Sequence, residues 1–362
     1  TVVNIATPSA SGLSHNRYGA FDVSQDGVIL NNSRKVVRTD IGGYIDANPH
    51  LAGGTARVIL NEVLSTDPSS LLGAVEVGGK AADVIIANPH GITCDGCGFI
   101  NTVRGTLTTG VPQVENGALQ GWDVRGGTLV IEGDGARMQG ASRFDAIAGA
   151  IRLNAELHGK DLNLISGHQQ VAYENLSGSA NGAAPEPGAE FAISSSALGG
   201  IYGDRIRLVA TDAGVGVRLD APVAAQLGNV DMDVAGSLRF ARLSAADDVL
   251  VQARSVHADG ALTARDQIHL QADHGIELSA DTSEARRVQL DAQSLQVNQD
   301  AAIATTVLQA DLAHLQNDGI IQADVATITT TGTLGNQGLM EGRHLTLTSR
   351  TLDNTDGEIS AT

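Results

Sequence analysis

The chain has 362 residues, enough to bury a large core, yet aromatic residues make up only 3% of it and glycine fills 43 positions. Its interior therefore has to be built from Val, Leu, Ile and Ala in thin layers. A formal net charge of −18 excludes a nucleic-acid surface, which needs clustered Lys and Arg, and suits an exported protein kept in solution by its own charge.

Taken along the chain, the start at Thr1-Val2-Val3-Asn4-Ile5 falls inside a strand-like run and reads as processed or trimmed. No signal-peptide pattern is found, and no run of about eighteen apolar residues offers a membrane-spanning helix. Residues 1 to about 35 follow no repeat and are expected to cap the open edge of a solenoid. Short runs of β-formers come next, at Ala56 to Leu60, Ala82 to Ala87, Thr128 to Ile131, Ala150 to Leu153 and Arg205 to Val209. Gly, Asn, Asp and Ser separate them. Helical periodicity is scarce; residues 62 to 72 have room for one helical turn, which Pro68 interrupts.

Two motifs end β-rich runs forty residues apart: Ala47-Asn48-Pro49-His50-Leu51 and Ala87-Asn88-Pro89-His90-Gly91-Ile92. Proline fixes its own φ and pushes the preceding residue out of the helical region, so each Asn-Pro marks a turn. Such turns either close a coil or offer donors and acceptors to a partner. The second motif runs into Cys94-Asp95-Gly96-Cys97, which holds the only two cysteines. In an oxidising compartment these close a small disulfide loop, and in a reducing one they stay free thiols. A zinc site would need a ligand beyond His90 and the two cysteines. Residues 174 to 190 read as a mobile surface loop between coils.

The last third repeats. Leu315-Gln316-Asn317-Asp318-Gly319-Ile320 recurs as Leu334-Gly335-Asn336-Gln337-Gly338-Leu339, and again at Leu352-Asp353-Asn354-Thr355-Asp356-Gly357 with Ile359. A second column runs through Val249, Ile268, Val288, Leu308, Ile328 and Leu347. A fixed period near twenty built of strands and turns is a solenoid. The expected fold is all-β, a right-handed parallel β-helix with an N-terminal cap and extra-helical strands. Roughly sixteen to eighteen coils spaced by ~4.8 Å give a rod of ~80 Å. Pairs such as Val249/Val251, Ile268/Leu270, Val288/Leu290 and Leu345/Leu347 point inward together. The Asn and Gly of the repeated turns are expected at positive φ. The repeat still runs in register at Thr362, so the chain reads as the front piece of a longer protein.

Parallel β-helices include polysaccharide-cleaving enzymes, which need carboxylates converging on one groove. The candidates are Asp231/Asp233 and Asp247/Asp248; both pairs sit beside turn residues and read as solvated carboxylates. His257, His269, His274 and His344 read as coil-surface residues, and Trp122 as a packing anchor. No catalytic residue, metal site or cofactor is expected.

Val3-Asn4-Ile5-Ala6 with Ser14-His15-Asn16, then Phe21-Asp22-Val23, Gly27 and Leu30-Asn31-Asn32-Ser33, resembles the start of a mature two-partner-secretion exoprotein. Ala87 to Asn101 resembles that family's second Asn-Pro motif with its Cys-x-x-Cys variant, and Thr106-Leu107-Thr108-Thr109-Gly110 follows it. Gly199-Gly200-Ile201-Tyr202-Gly203, Arg205 to Leu208 and Thr211 to Val217 are similar to a later block of filamentous haemagglutinins, secreted haemolysins and contact-dependent growth inhibition exoproteins. Where the family motifs read Asn-Pro-Asn, this chain has His50 and His90. The resemblance implies a secretion domain over residues 1–225, the start of a filamentous shaft over 226–362, and a parent of the growth-inhibition toxin class, with a haemagglutinin-type adhesin or haemolysin as the alternative. It implies an outer-membrane transporter, with periplasmic POTRA domains and a β-barrel, that reads Asn48, Pro49, His50, Leu51, Asn88, Pro89, His90, Gly91 and Ile92. It also implies a cell-surface or secreted location, and a target-cell receptor met by parts outside this chain.

Overall fold

The computed structural model describes residues 1–185 and 188–361. It is a parallel β-solenoid of about 14 turns with almost no helix. Backbone contacts divide it into two units, Thr1–Gly203 and the residues from Asp204 on.

In the second unit each strand pairs in parallel with the strand one coil on. Val249 lies opposite Ile268, Ile268 opposite Val288 and Ile328 opposite Leu347. The offset is eighteen to twenty residues, so the period read from the sequence is the physical rung spacing. One step of the expected column fails: Leu308 faces Ala326, and Ile328 faces Ala310. All four are buried. A rung shorter by two residues keeps every side chain on its face, because the strand period is two. Pairing continues through the corners, so one strand runs from Gly275 to Asn317.

The repeated turns work differently from expectation. Asn317, Asn336 and Asn354 are not at positive φ; in these three turns only Asp356, at φ 63, is. The asparagines form a ladder along the coils: Asn317 Nδ2 donates to Asn336 Oδ1 at 2.7 Å, and Asn336 Nδ2 to Asn354 Oδ1 at 2.6 Å. Asn317 and Asn336 are buried. The glycines serve close approach. A Cβ on Gly338 would sit 2.0 Å from the Gly319 carbonyl oxygen, which only glycine avoids.

The first unit has longer coils. Val2–Asn4 pairs in parallel with Val28–Asn32, and Leu13–Tyr18 with Val58–Val63, so the N-terminal cap is itself made of coil strands. Three excursions lengthen the coils and account for there being fewer turns than the period alone gives. The first carries an antiparallel hairpin, Val37–Thr39 with Gly43–Ile45. The other two supply an extra-helical antiparallel sheet of Val111–Glu115, Ala118–Val124, Gln169–Ala172 and Gly178–Ala180. Gly178–Ala180 lies inside the stretch expected to be a mobile loop: backbone pairing with Gln169–Val171 makes it a strand. Glu186 and Pro187 of that stretch lie outside the described residues, as does Thr362. The helical turn allowed over residues 62–72 is absent; Val58–Val63 and Ser69–Leu71 are strands.

Val, Leu, Ile and Ala fill both cores as the composition required. Ile59, Leu60, Val84, Ile85 and Ile86 are fully buried in the first unit, and Val249, Ile268 and Leu270 in the second. No helix among the described residues is long and apolar enough to cross a membrane.

Candidate functional site

Both Asn-Pro motifs close a coil in the same way, with asparagine inside and the next residues outside. At the first, Asn48 is the N-cap of a single 3₁₀ turn, Pro49–Leu51, and its Oδ1 accepts from the His50 N–H at 2.9 Å. Its Nδ2 donates to the carbonyl oxygens of Ile5 at 3.0 Å and Asn31 at 2.9 Å. Asn48 and Leu51 are buried, while Pro49 and His50 are exposed. Thr7 adds a hydroxyl bond to the His50 carbonyl at 2.9 Å.

At the second, Asn88 Oδ1 accepts from the His90 N–H at 3.0 Å. Asn88 Nδ2 donates to the Asp67 carbonyl at 2.9 Å and the Ser69 hydroxyl at 3.0 Å. Asn88 is fully buried, Pro89 half-buried and His90 exposed. Gly91 has φ +121, and a Cβ there would lie 3.2 Å from the Thr128 carbonyl. Ile92, buried, begins the strand Ile92–Ile100 and pairs with Ser69 on one side and Leu129 on the other. Each Asn-Pro is thus an Asx-type lock whose amide is spent on groups inside the domain. The amides are not offered to solvent in the folded domain; the imidazoles of His50 and His90 are.

Cys94 and Cys97 are joined by a disulfide and lie in the core. They span an irregularity in pairing between Asp95 and Cys97, with Gly96 at φ +78. Asp95 Oδ1 accepts from the Asp134 N–H of the next coil at 2.8 Å. The bond therefore pins a bulge directly after the second motif.

The sequence reading missed two networks. Asn31 and Asn32 end the strand Val28–Asn32 and are buried. Asn32 receives the Ala56 N–H at 2.8 Å and donates to the Ala56 and Lys80 carbonyls at 3.0 and 2.8 Å. The signal was the paired Asn closing an apolar run. The second network docks the extra-helical sheet on the coils. Buried Arg104 bonds the carboxylate of Asp145 and the carbonyl of Tyr173. Asp145 also takes Arg143 at 2.8 Å and Asn163 at 2.9 Å. The Arg104 guanidinium lies 4.6 Å from the Tyr173 ring centroid and 5.6 Å from that of Trp122, a cation–π arrangement. The Tyr173 hydroxyl donates to Asp83. Burial pushes the Asp83 carboxyl above the ordinary Asp range, against the Tyr173 hydrogen bond and the Arg104 charge, and burial with the Asp83 bond raises the Tyr173 hydroxyl. No sequence spacing brings residues 83, 104, 122, 145 and 173 together.

Of the carboxylates weighed for catalysis, Asp231 and Asp233 line one open depression; burial raises the Asp231 carboxyl, with Arg207 opposing and nearby Asp248 adding to it. Among the described residues no cluster of His, Cys, Asp and Glu is arranged to hold a metal ion.

A parallel β-helix with a coil-closing Asn-Pro pair and an extra-helical antiparallel sheet defines a class, and the TPS secretion domain model matches residues 1–240. The chain belongs to the TPS secretion domain family. Its relatives include Toxin CdiA of Yersinia pestis, 47% identical over 65% of this chain, and tRNA nuclease CdiA of Escherichia coli (strain STEC_O31), 38% identical over 98% of it. The chain spans 7% and 11% of those relatives' lengths. Among solved structures, the filamentous hemagglutinin secretion domain matches with a TM-score of 0.59 and 29% identity, covering 89% of each chain. By the family match residues 1–240 are a secretion domain.

Proposed function

We propose that this domain carries a CdiA-type exoprotein through a dedicated outer-membrane transporter. The transporter's periplasmic POTRA domains read the motifs Asn48-Pro49-His50-Leu51 and Asn88-Pro89-His90-Gly91-Ile92 before the coils close, and its β-barrel passes the chain. Residues 1–225 are the secretion domain and 226–362 begin the shaft. The observation that carries this is the family match over residues 1–240 together with CdiA relatives at 38–47% identity. The buried amides support reading before folding: Asn48 and Asn88 are free to meet a partner only while the turn is open. No ATP is available beyond the inner membrane, and a solenoid adds coil upon coil, so folding at the cell surface biases export outward. The parent's toxic or adhesive activity, and any receptor on target cells, belong to parts outside this chain.

The test compares binding of the unfolded and folded domain to the isolated periplasmic domains of the transporter. The unfolded domain is expected to bind, and Asn48→Ala with Asn88→Ala to weaken that binding. Equal binding by parent and double variant in the unfolded state would remove the motifs from recognition and leave them as turn locks.

A further inference from the structure

Cys94 occupies a place in the core that its neighbours fill with aliphatic side chains. It lies opposite Leu71 on the coil before and Ile131 on the coil after, and Ile131 lies opposite Leu153. All four are buried, so they form one inward column. Cys94 is 0% exposed and Cys97 3%. Their cover is the strand Thr128–Arg137, which pairs with Ile92–Ile100 on both sides of the bulge. The Gly135 carbonyl oxygen of that cover lies 3.5 Å from the Cys94 sulfur.

A disulfide of this kind forms by exchange. One cysteine thiolate attacks a sulfur of the oxidant's disulfide and expels its other sulfur as a thiolate. The second cysteine thiolate then attacks the cysteine sulfur of that mixed disulfide and releases the oxidant. The cysteines lose two protons and two electrons, and the oxidant's disulfide becomes two thiols. The mixed disulfide puts the oxidant itself against a cysteine sulfur. The closed core leaves no such approach, because the next coil is packed there. Exchange in the folded domain has to wait until that coil opens.

We propose that Cys94 and Cys97 are joined on the open chain, by exchange with a disulfide-bearing oxidant, before Thr128–Arg137 docks, and that docking then seals the bond. The reaction that supplies the folded domain is thus a thiol oxidation upstream of folding. The bridged loop is ready for the coil it receives. Asp95 and Cys97, with Gly96 between them, face Glu132 and Ala136, with Gly133, Asp134 and Gly135 between those. The Asp95 carboxylate meets the Asp134 N–H there. The bond joins residues only 3 apart, so it ties no distant segments together and leaves the open chain extended. Taken with the proposed closing of coils at the cell surface, on which this placement rests, the oxidation belongs to the periplasm.

The experiment uses the 362-residue chain and no transporter, so its outcome is independent of the export reading. The folded, bridged chain is treated with dithiothreitol in buffer and in urea, and its thiols are counted by alkylation and mass spectrometry. Reduction in buffer is expected to be at least about a hundredfold slower than in urea, since it waits on opening of the coil. In the converse arm the chain is reduced in urea, folded by dilution and then given oxidised glutathione. Bridging is expected to be at least about a hundredfold slower than in chain kept in urea. A reduced chain that shows no β signal in circular dichroism also places oxidation before folding. A smaller ratio for folded chain in either arm would overturn the order.

Discussion

Asn88 holds its turn through three hydrogen bonds from one buried amide. Truncation to Ala strands the His90 N–H, the Asp67 carbonyl and the Ser69 hydroxyl. Only the Ser69 hydroxyl belongs to a buried residue; a buried group left unpaired costs about 1–3 kcal/mol, so Asn88→Ala is expected to lose about 2 kcal/mol in urea unfolding. A loss below about 1 kcal/mol would mean that Pro89 and Gly91 set the turn unaided. The Asn-Pro dipeptide announced the turn, but it left both amides accessible, each worth one ordinary hydrogen bond of ~1 kcal/mol. Burial of the side chain depends on Ile5, Asn31, Asp67 and Ser69 arriving from other coils, which spacing within a motif does not encode. At Asp83 the carboxyl is raised by burial, so the folded state binds its proton more tightly than the unfolded one. That proton stabilises the fold at low pH. The contribution fades as pH rises from the ordinary Asp value of ~3.9 through the raised one, because the unfolded state then binds fewer protons than the native. Asp83→Asn keeps an acceptor for Tyr173 and removes the ionisation. Urea midpoints measured from pH 4 to pH 7 should lose this slope, and the variant should be the more stable at pH 7. A variant less stable at pH 7 would show that attraction to Arg104 outweighs desolvation.

The coils of the second unit were legible as elements because one offset repeats: Val249 to Ile268 and Ile328 to Leu347 are both nineteen residues apart. The extra-helical sheet was not, because Gly121–Val124 pairs with Gln169–Ala172 across a whole coil, and antiparallel pairing at that distance leaves no period. Its docking rests on Arg104, which Asp145, Tyr173 and Trp122 surround. Arg104→Ala leaves the Asp145 carboxylate buried with only Arg143 and Asn163, and breaking a buried pair costs about 3–5 kcal/mol. Trp122 is the single tryptophan and is fully buried, so its fluorescence reports this sheet alone. The variant is expected to shift Trp122 emission to the red while far-ultraviolet circular dichroism keeps the β signal of the coils. An unchanged emission maximum would show that the aromatic packing with Tyr173 holds the sheet without the arginine.

At the scale of the whole molecule, an acidic, aromatic-poor chain whose cores are aliphatic layers suits the proposed export as an open chain that closes coil upon coil at the cell surface. The family was legible from words such as Leu30-Asn31-Asn32-Ser33 and Ala87 to Ile92, and the structure gives those words physical meaning as buried locks between coils. The central claim is that this domain directs export through a partner transporter. Its most direct test fuses residues 1–362, behind a periplasmic signal sequence, to a reporter and measures surface and medium reporter with and without the transporter. Export that requires both the transporter and an intact domain is predicted, with Asn48→Ala/Asn88→Ala retained in the periplasm. Reporter that leaves the cell equally without the transporter, or never leaves with it, would contradict the account.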